Sequence, residues 1–269
     1  MSKIKDAAKG VAQRLGYTVE RAPPPPPYPE LVGVPRYVAR QVMLGGHPFH
    51  ITDAPSFLAS YREIFVEEIY KFETRSDTPV IIDCGANTGV SVAYFKQAYP
   101  RARITAIEAD PRVFAALKGN VEAGGHDGIT LVNKAVSDSS GPVTFYSEGA
   151  DAGRLHHNDT ATGQTRVETV RLDDLIGEHV DFLKIDIEGA ETDVVRSCTR
   201  LDRVGQMFVE YHSFHDSEQV LATLLDALKA SGFRYYIHTQ LCSPAPLSVE
   251  EVHMGMDLQL NIFAKRPRG

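Results

Sequence analysis

The stretch that decides the fold is VIIDCGANTG, residues 80–89. It starts as an apolar run, reaches an acid at Asp83 and breaks into a turn that contains Gly85 and Gly89. A short apolar run predicts a buried strand, and the glycines predict a tight turn before a helix. In open α/β sheets, ligands bind at such turns, beyond the carboxyl ends of the strands. The segment therefore predicts both a central strand and a ligand site.

From residue 79 onwards, apolar strands alternate with amphipathic helices. Strands that are apolar throughout and separated by helices indicate an α/β fold, with an open parallel sheet covered by helices on both faces. The last strand alternates polar and apolar residues, which indicates a less buried, antiparallel member. The predicted strands are 79–86, 103–110, 129–138, 142–148, 206–212, 234–239 and 257–266; 180–198 is a strand running into a helix, and the other helices are 89–100, 111–124 and 217–232.

The N-terminal part of the chain predicts two additional segments. APPPPPYPE (22–30) predicts a stiff polyproline spacer, so residues 1–30 are expected to form an arm outside the core. Residues 31–75 are expected to form a β-hairpin and a helix over 54–73 that pack on the core and shape the ligand pocket. The main domain is expected to span 76–269.

Composition and charge restrict the partners of this chain. The net charge of −7 argues against nucleic acid as a general partner. Three widely separated cysteines predict neither a disulfide framework nor a zinc site, and they fit a reducing, cytoplasmic location. No stretch approaches the ~18 apolar residues that span a bilayer. Basic residues flank a helical apolar pattern in residues 1–17, which predicts a locally packed helix or, less favoured, contact with an anionic membrane surface.

The turn after residue 83 restricts the kind of cofactor. Its glycine spacing matches neither the dinucleotide fingerprint nor the P-loop. The carboxylate of Asp83 would repel a phosphate and attract a cation. Glu108 ends the next strand, where an acid can bind the hydroxyls of a ribose. S-adenosylmethionine has a ribose, an ammonium and a sulfonium but no phosphate, so it is favoured over a dinucleotide, which would make the chain an NAD(P)-linked oxidoreductase.

Several motifs in order resemble one known family. They are VIIDCGANTGVSVAYF, ITAIEADPRVFAALKGNV, LVNKAVSDSSGPVTFY, VRLDDL, DFLKIDIEGAETDVV and VEYH, and together they resemble the FkbM-type S-adenosylmethionine-dependent methyltransferases. The resemblance implies a Rossmann-like class I methyltransferase fold, with a mostly parallel seven-stranded sheet. It also implies O-methylation of a small-molecule or glycan acceptor: a sugar, a glycolipid or a secondary metabolite. A module that binds the cofactor without catalysis is the alternative from a different class, and the oligomeric state is left open.

The cofactor site is predicted from the strand ends. Two glycines and an asparagine would form the turn around the methionine portion, since glycine lets the backbone approach a ligand closely. An acid at the next strand end would hold the ribose, and a small apolar pair would contact the adenine. The predicted cofactor-binding residues are Asp83, Gly85, Asn87, Gly89, Glu108, Ala135, Val136, Ser137 and Asp186.

Catalytic candidates follow the next two strands of the predicted sheet. Asp186, Glu210 and His212 are expected beside the methyl donor, where a hydroxyl must lose its proton. Two mechanisms stay open: His212 or Asp186 as general base, or a magnesium ion held by Asp186, Glu210 and His212. The spacing forms no metal signature, so no metal ligand is assigned. Glu188 and Glu191 are also interpreted as helix-capping acids, and GRLHHND (153–159), with His156 and His157, as a lid.

Overall fold

A computed structural model describes residues 27–147, 153–154 and 163–267. The predicted N-terminal helix, most of the proline spacer, and His156 and His157 lie outside these residues. The larger of two compact units is Gly33–Gly269. The domain boundaries predicted after residues 30 and 75 stay predictions.

The described residues form strands and helices in alternation through most of the chain. No helix among them is long and apolar enough to cross a bilayer. The strands are β1 (Arg40–Leu44), β2 (His47–Ile51), β3 (Val80–Cys84), β4 (Arg103–Ile107), β5 (Ile129–Val132), β6 (Ala135–Ser137), β7 (Pro142–Ser147), β8 (Gly153–Arg154), β9 (Gly163–Arg171), β10 (Val180–Ile185), β11 (Val204–Phe214), β12 (Arg234–Cys242) and β13 (Met256–Lys265). The α-helices are α1 (Ala54–Tyr61), α2 (Val90–Ala98), α3 (Pro111–Gly124), α4 (Leu172–Leu175), α5 (Glu191–Ser197) and α6 (Leu221–Ala230).

A seven-stranded sheet forms the centre of the molecule, in the order β12-β13-β11-β10-β3-β4-β5. β3, β4, β5, β10 and β11 pair in parallel, whereas β13 is antiparallel to both of its neighbours. Ile82, Leu183 and Val209 on the central strands are almost completely buried, as expected of strands covered on both faces. The predicted Rossmann-like α/β fold, including the antiparallel last strand, is confirmed.

A second sheet, which the sequence did not predict, has the order β6-β9-β7-β8. The predicted strand 129–138 is divided: β5 ends at Val132, and β6 leaves the central sheet to pair in parallel with β9. Between the two strands, the side-chain amide of Asn133 donates to the carbonyl oxygens of Glu108 and Ala109, 2.8 and 3.1 Å away. These bonds hold the break next to the end of β4.

The N-terminal extension has the predicted hairpin, β1–β2, but a shorter helix than predicted. Helix α1 continues as a π-helical turn, Arg62–Val66, and then ends instead of reaching residue 73. Glu68 adopts a left-handed conformation (φ 52°), which a helix does not tolerate. Tyr70 and Phe72 then enter the core, so burial of these two rings overrides the helical spacing of the sequence.

Phe72 connects the extension to the central sheet. Its ring is stacked on Phe182 of β10, with centroids 4.8 Å apart, and on Tyr99, 4.3 Å away. The Tyr99 hydroxyl also donates to the Phe72 carbonyl oxygen and accepts from the Phe72 amide, at 2.7 and 2.8 Å. The side chain of Phe72 and its backbone are therefore both attached to the core.

We expect Phe72→Ala to lower the free energy of unfolding by about 3–5 kcal/mol, because it removes a buried ring and leaves a cavity. Denaturant unfolding measures this change. The control is Val66→Ala at an exposed position of the same extension, for which we expect a change within about 0.5 kcal/mol. Equal unfolding midpoints for the two variants would show that Phe72 does not anchor the extension.

Candidate active site

One cavity of about 480 Å³ lies beyond the carboxyl ends of β3, β4, β10 and β11. This is the edge of an α/β sheet at which ligands bind, and the volume is in the range of small-molecule sites. Eight of the residues predicted for the site line it: Gly85, Asn87, Glu108, Ala135, Val136, Asp186, Glu210 and His212. The lining does not include Asp83, Gly89 and Ser137, which were also predicted.

Glycine is required at position 85. Gly85 has a φ of +81°, and a Cβ atom there would lie 1.8 Å from the carbonyl oxygen of Asp186. The turn after β3 therefore fits directly against the chain after β10, which brings two strand ends together. Gly89 has a φ of +94° and begins α2 beneath the cavity, where a Cβ atom would lie 2.7 Å from Leu117. It shapes the turn without lining the cavity.

Asp83 has partners that the sequence did not predict. It is fully buried, with an ion pair to Lys184 Nζ at 3.2 Å and a hydrogen bond from the Ser91 hydroxyl. Asp83 was expected to face the cation of a cofactor. Instead, its carboxylate is buried inside the protein, where the Lys184 ammonium compensates its charge. Lys184 also donates to the Gly85 carbonyl oxygen at 2.7 Å and pairs with Asp186 at 3.3 Å.

The sequence did not indicate Lys184 as a site residue, because a single lysine in the apolar strand VDFLKI carries no motif. Burial lowers the pKa of the Lys184 ammonium, but Asp83 and Asp186 raise it more, so its pKa lies well above the ordinary value. The lysine is therefore a permanent cation that joins the turn after β3 to the acid after β10.

Glu108 faces the cavity from the end of β4. Its two carboxyl oxygens accept the backbone amides of Asn87 and Asp110, at 3.0 and 2.8 Å. Burial raises the pKa of Glu108 to about 7, although these two amides act in the opposite direction. The carboxyl group is thus fixed in orientation and changes its charge near neutral pH.

An apolar wall comes from the second sheet. Ala135 and Val136 of β6 line the cavity together with Ile107 and Phe145. Ser137, predicted to contact a ligand from the same strand, is buried, and its hydroxyl donates to Asp138 at 3.3 Å.

His212 is the centre of an acidic cluster on the other side of the cavity. Its Nδ1 donates to Glu191 at 3.0 Å, and its Nε2 lies 3.7 Å from a carboxyl oxygen of Glu188. Burial lowers the pKa of His212, but Glu188, Glu191 and Glu210 raise it more, so its pKa lies well above the ordinary value. The imidazole is therefore more basic than that of a free histidine.

Glu191 lies in the first turn of α5, where a capping acid was predicted, and it also binds His212. It is buried at the start of α5 and accepts the backbone amides of Gly189 and Ile187, at 2.9 and 3.2 Å. The same carboxylate holds His212. Glu188 adopts a left-handed conformation (φ 58°) and lines the cavity, so it is not a simple capping residue.

Two further carboxyl groups complete the cluster. Burial and the neighbouring Asp186 raise the pKa of Glu210 well above its ordinary value, although His212 lowers it, and Gln259 of β13 donates to its side chain. Glu63, which the sequence did not reveal, lines the cavity from the π-helical turn. Burial, helped by Glu67 and Asp186, raises its pKa to about 7.

Amide side chains from the last two strands also line the cavity. Gln240 of β12 donates to Glu63, at a point where the register between β12 and β13 shifts. Gln259 lies opposite His212 in the pairing of β11 with β13. Neither glutamine carries a sequence signal, since a polar residue on an alternating strand normally faces solvent.

Comparisons with known proteins agree with this geometry. Residues 83–235, more than half of the chain, match the family model of the methyltransferase FkbM domain. Methyltransferase 1 of Beauveria bassiana is 27% identical, over 70% of this chain and 86% of the relative. The 2-O-methyltransferase NoeI of Sinorhizobium fredii is 28% identical, over 56% and 71%. The 31-O-demethyl-FK506 methyltransferase FkbM of Streptomyces tacrolimicus is 29% identical, over 64% and 80%.

The matched range begins at Asp83 and contains the ends of β3, β4 and β10 together with Glu210 and His212 of β11. It therefore includes most of the cavity described above. The chain belongs to the FkbM family of S-adenosylmethionine-dependent methyltransferases.

Proposed function

We propose that this protein is an S-adenosylmethionine-dependent O-methyltransferase that acts on a hydroxyl group of a sugar, a glycolipid or a secondary metabolite. The observation that carries the proposal is that the turn at Gly85 and the acid–histidine cluster around Asp186 and His212 line the same cavity. A methyl donor held by the turn would thus lie beside groups that handle protons. The names of two relatives, 2-O-methyltransferase NoeI and 31-O-demethyl-FK506 methyltransferase FkbM, support oxygen as the acceptor atom.

The lining of the cavity fits the cofactor. Five carboxyl residues line the cavity together with Arg36, Lys134 and His212, so the cavity offers many hydrogen-bond acceptors for the ammonium and the ribose hydroxyls of S-adenosylmethionine. When bound, S-adenosylmethionine supplies an electrophilic methyl group on a sulfonium. The five carboxyl residues are Glu63, Glu108, Asp186, Glu188 and Glu210.

Each part of the lining has a role in holding that cofactor. Gly85 and Asn87 allow the backbone of the turn to approach it closely, and Glu108 is positioned to accept hydrogen bonds from the ribose hydroxyls. Ala135 and Val136 offer an apolar surface for the adenine. Asp83, Gly89 and Ser137 shape this half of the site from outside the cavity.

Asp186 is the proposed proton acceptor. An alcohol is a poor nucleophile until its proton is removed, and the removal needs a base in contact with it. The pKa of His212 and that of Glu210 lie well above their ordinary values, because neighbouring acids raise the first and burial raises the second, so both groups are less available as proton acceptors than free side chains. Asp186 is a carboxylate in an ion pair with Lys184, and it lines the cavity. His212 and Glu210 then position the hydroxyl by hydrogen bonding.

A divalent ion is the alternative to a general base. Asp186, Glu188 and His212 each present a ligand atom, and these atoms lie within 4.8 Å of one another. This set contains Glu188 where the predicted set contained Glu210. Magnesium prefers a shell of oxygen ligands, whereas an imidazole suits transition metals. Magnesium therefore stays a prediction that the ligand chemistry does not favour.

Substitution tests the role of Asp186. In Asp186→Asn, we expect turnover of a hydroxylated acceptor to fall by about 10² or more, because the base is lost, while S-adenosylhomocysteine still binds. Product formation and calorimetric titration measure the two effects. Asp193→Asn, an exposed acid in α5, is the matched control and should behave like the wild type. Turnover of Asp186→Asn within twofold of wild type would contradict the assignment.

The affinity for S-adenosylhomocysteine should depend on pH through Glu108. Its pKa is raised to about 7, and only the ionised form accepts hydrogen bonds from both ribose hydroxyls. The affinity should therefore increase as the pH rises through 7, by about tenfold between pH 6 and pH 8. Titration calorimetry across this range measures it, with Glu108→Gln expected to bind weakly at every pH. A flat wild-type profile would exclude Glu108 as the ribose acceptor.

Chelation separates the two mechanisms of proton removal. If Asp186 is the base, dialysis against EDTA should leave turnover unchanged, and added magnesium should have no effect. Loss of turnover that a divalent ion restores would instead favour the metal mechanism. Inductively coupled plasma analysis of the dialysed protein is the control for complete removal of metal.

A further inference from the structure

Asn120 is a buried amide in the middle of α3, and all its polar atoms have partners. Its Nδ2 group donates to the carbonyl oxygens of Thr88 and His50, both at 2.8 Å. Its Oδ1 accepts the backbone amide of His50 at 2.7 Å. Burial of an amide is costly unless it is hydrogen-bonded, so an apolar residue would be the simpler choice for packing alone. The partners of Asn120 belong to two separate parts of the molecule.

The first partner, Thr88, belongs to the turn between β3 and α2, residues 85–89, which we call the cofactor turn. It lies between Asn87, which lines the cavity and donates to Glu108, and Gly89, which begins α2. Movement of this turn on cofactor binding would therefore displace the Thr88 carbonyl oxygen, to which Asn120 is hydrogen-bonded.

The second partner, His50, belongs to β2 of the N-terminal hairpin. Three residues later, Asp53 begins α1 and accepts the backbone amides of Ser56 and Tyr37, at 3.0 and 2.6 Å. Asp53 also forms an ion pair with Arg36, Nε to Oδ2, at 3.5 Å. The hairpin thus fixes the start of α1 and the adjoining chain at Arg36.

This part of the chain forms one wall of the cavity. The wall residues are Arg36, Pro55, Ser56, Ala59, Ser60 and Glu63. None of them lies within the range matched by the family model, which begins at residue 83. The wall must therefore be placed against the family domain by contacts between the two parts, and Asn120 supplies two hydrogen bonds, both to His50, at one such contact.

We infer that Asn120 is a positioning residue that couples the cofactor turn to the wall formed by the N-terminal extension. Cofactor binding at the turn stabilises the hairpin through Asn120, so that the acceptor side of the cavity is held more firmly when the cofactor is present. By reciprocity, an ordered hairpin favours cofactor binding by the same factor. The inference depends on cofactor binding alone and is independent of which acceptor atom is methylated.

Hydrogen–deuterium exchange of the full chain, with and without S-adenosylhomocysteine, tests this coupling. In the wild type, we expect the ligand to slow exchange in peptides covering 47–61 by about fivefold or more. This measurement uses only the wild type, so it does not depend on whether a variant folds. Binding of S-adenosylhomocysteine with no change in these peptides would overturn the inference and would leave the proposed O-methylation untouched.

Two substitutions separate coupling from a purely structural role. Asn120→Asp keeps an acceptor for the His50 amide but loses both amide donors, and Asn120→Ala loses all three bonds. For both, we expect S-adenosylhomocysteine to bind but to slow exchange in 47–61 by less than about twofold. The control is Glu122→Gln, an exposed position on the same helix, which should retain the wild-type response. A full response in both Asn120 variants would show that the amide only stabilises the fold.

Discussion

The ion pairs of Lys184 are the interaction on which the rest of the site depends. Lys184 and Asp83 lie opposite each other on the paired strands β10 and β3. The lysine also binds Asp186 and the Gly85 carbonyl oxygen. One ammonium therefore fixes the strand pair, the cofactor turn and the proposed base. Removing one member of such a buried set typically costs about 3–5 kcal/mol, because an uncompensated charge remains.

An excess of carboxyl groups governs the chemistry of the cavity. Burial raises the pKa of Glu63 and Glu108 to about 7, and burial with the neighbouring Asp186 raises that of Glu210 well above its ordinary value. His212 is the counter-charge of the cluster, which is why it holds its proton. A cavity of this kind favours a cationic ligand and keeps several protons within reach of the acceptor. Both properties suit methyl transfer from a sulfonium.

The N-terminal extension explains why family membership alone does not define the acceptor. The family range supplies the cofactor half and the acid–histidine cluster. A further wall comes from Arg36 and from α1 with its π-helical turn, which adds Glu63 to the acid cluster, and Gln240 and Gln259 reach the cavity from the last two strands. A shared fold does not by itself define a substrate, because function depends on the side chains of the site. The aromatic contacts of Phe72 and the hydrogen bonds of Asn120 hold this wall in place.

Local patterns in the sequence determined most strands of the central sheet, its antiparallel last strand and the residues at the strand ends. Apolar runs and the glycine turn depend on a few neighbouring residues, so the sequence by itself identifies Gly85, Glu108, Asp186 and His212. Only the tertiary structure decided which side chains meet. Lys184 and Asp83 are 101 positions apart along the chain, and Glu63 and Gln240 are 177 apart, so no local period records either contact. The second sheet and the early end of the helix at Val66 have the same cause, because long-range pairing and ring burial outweigh local propensity.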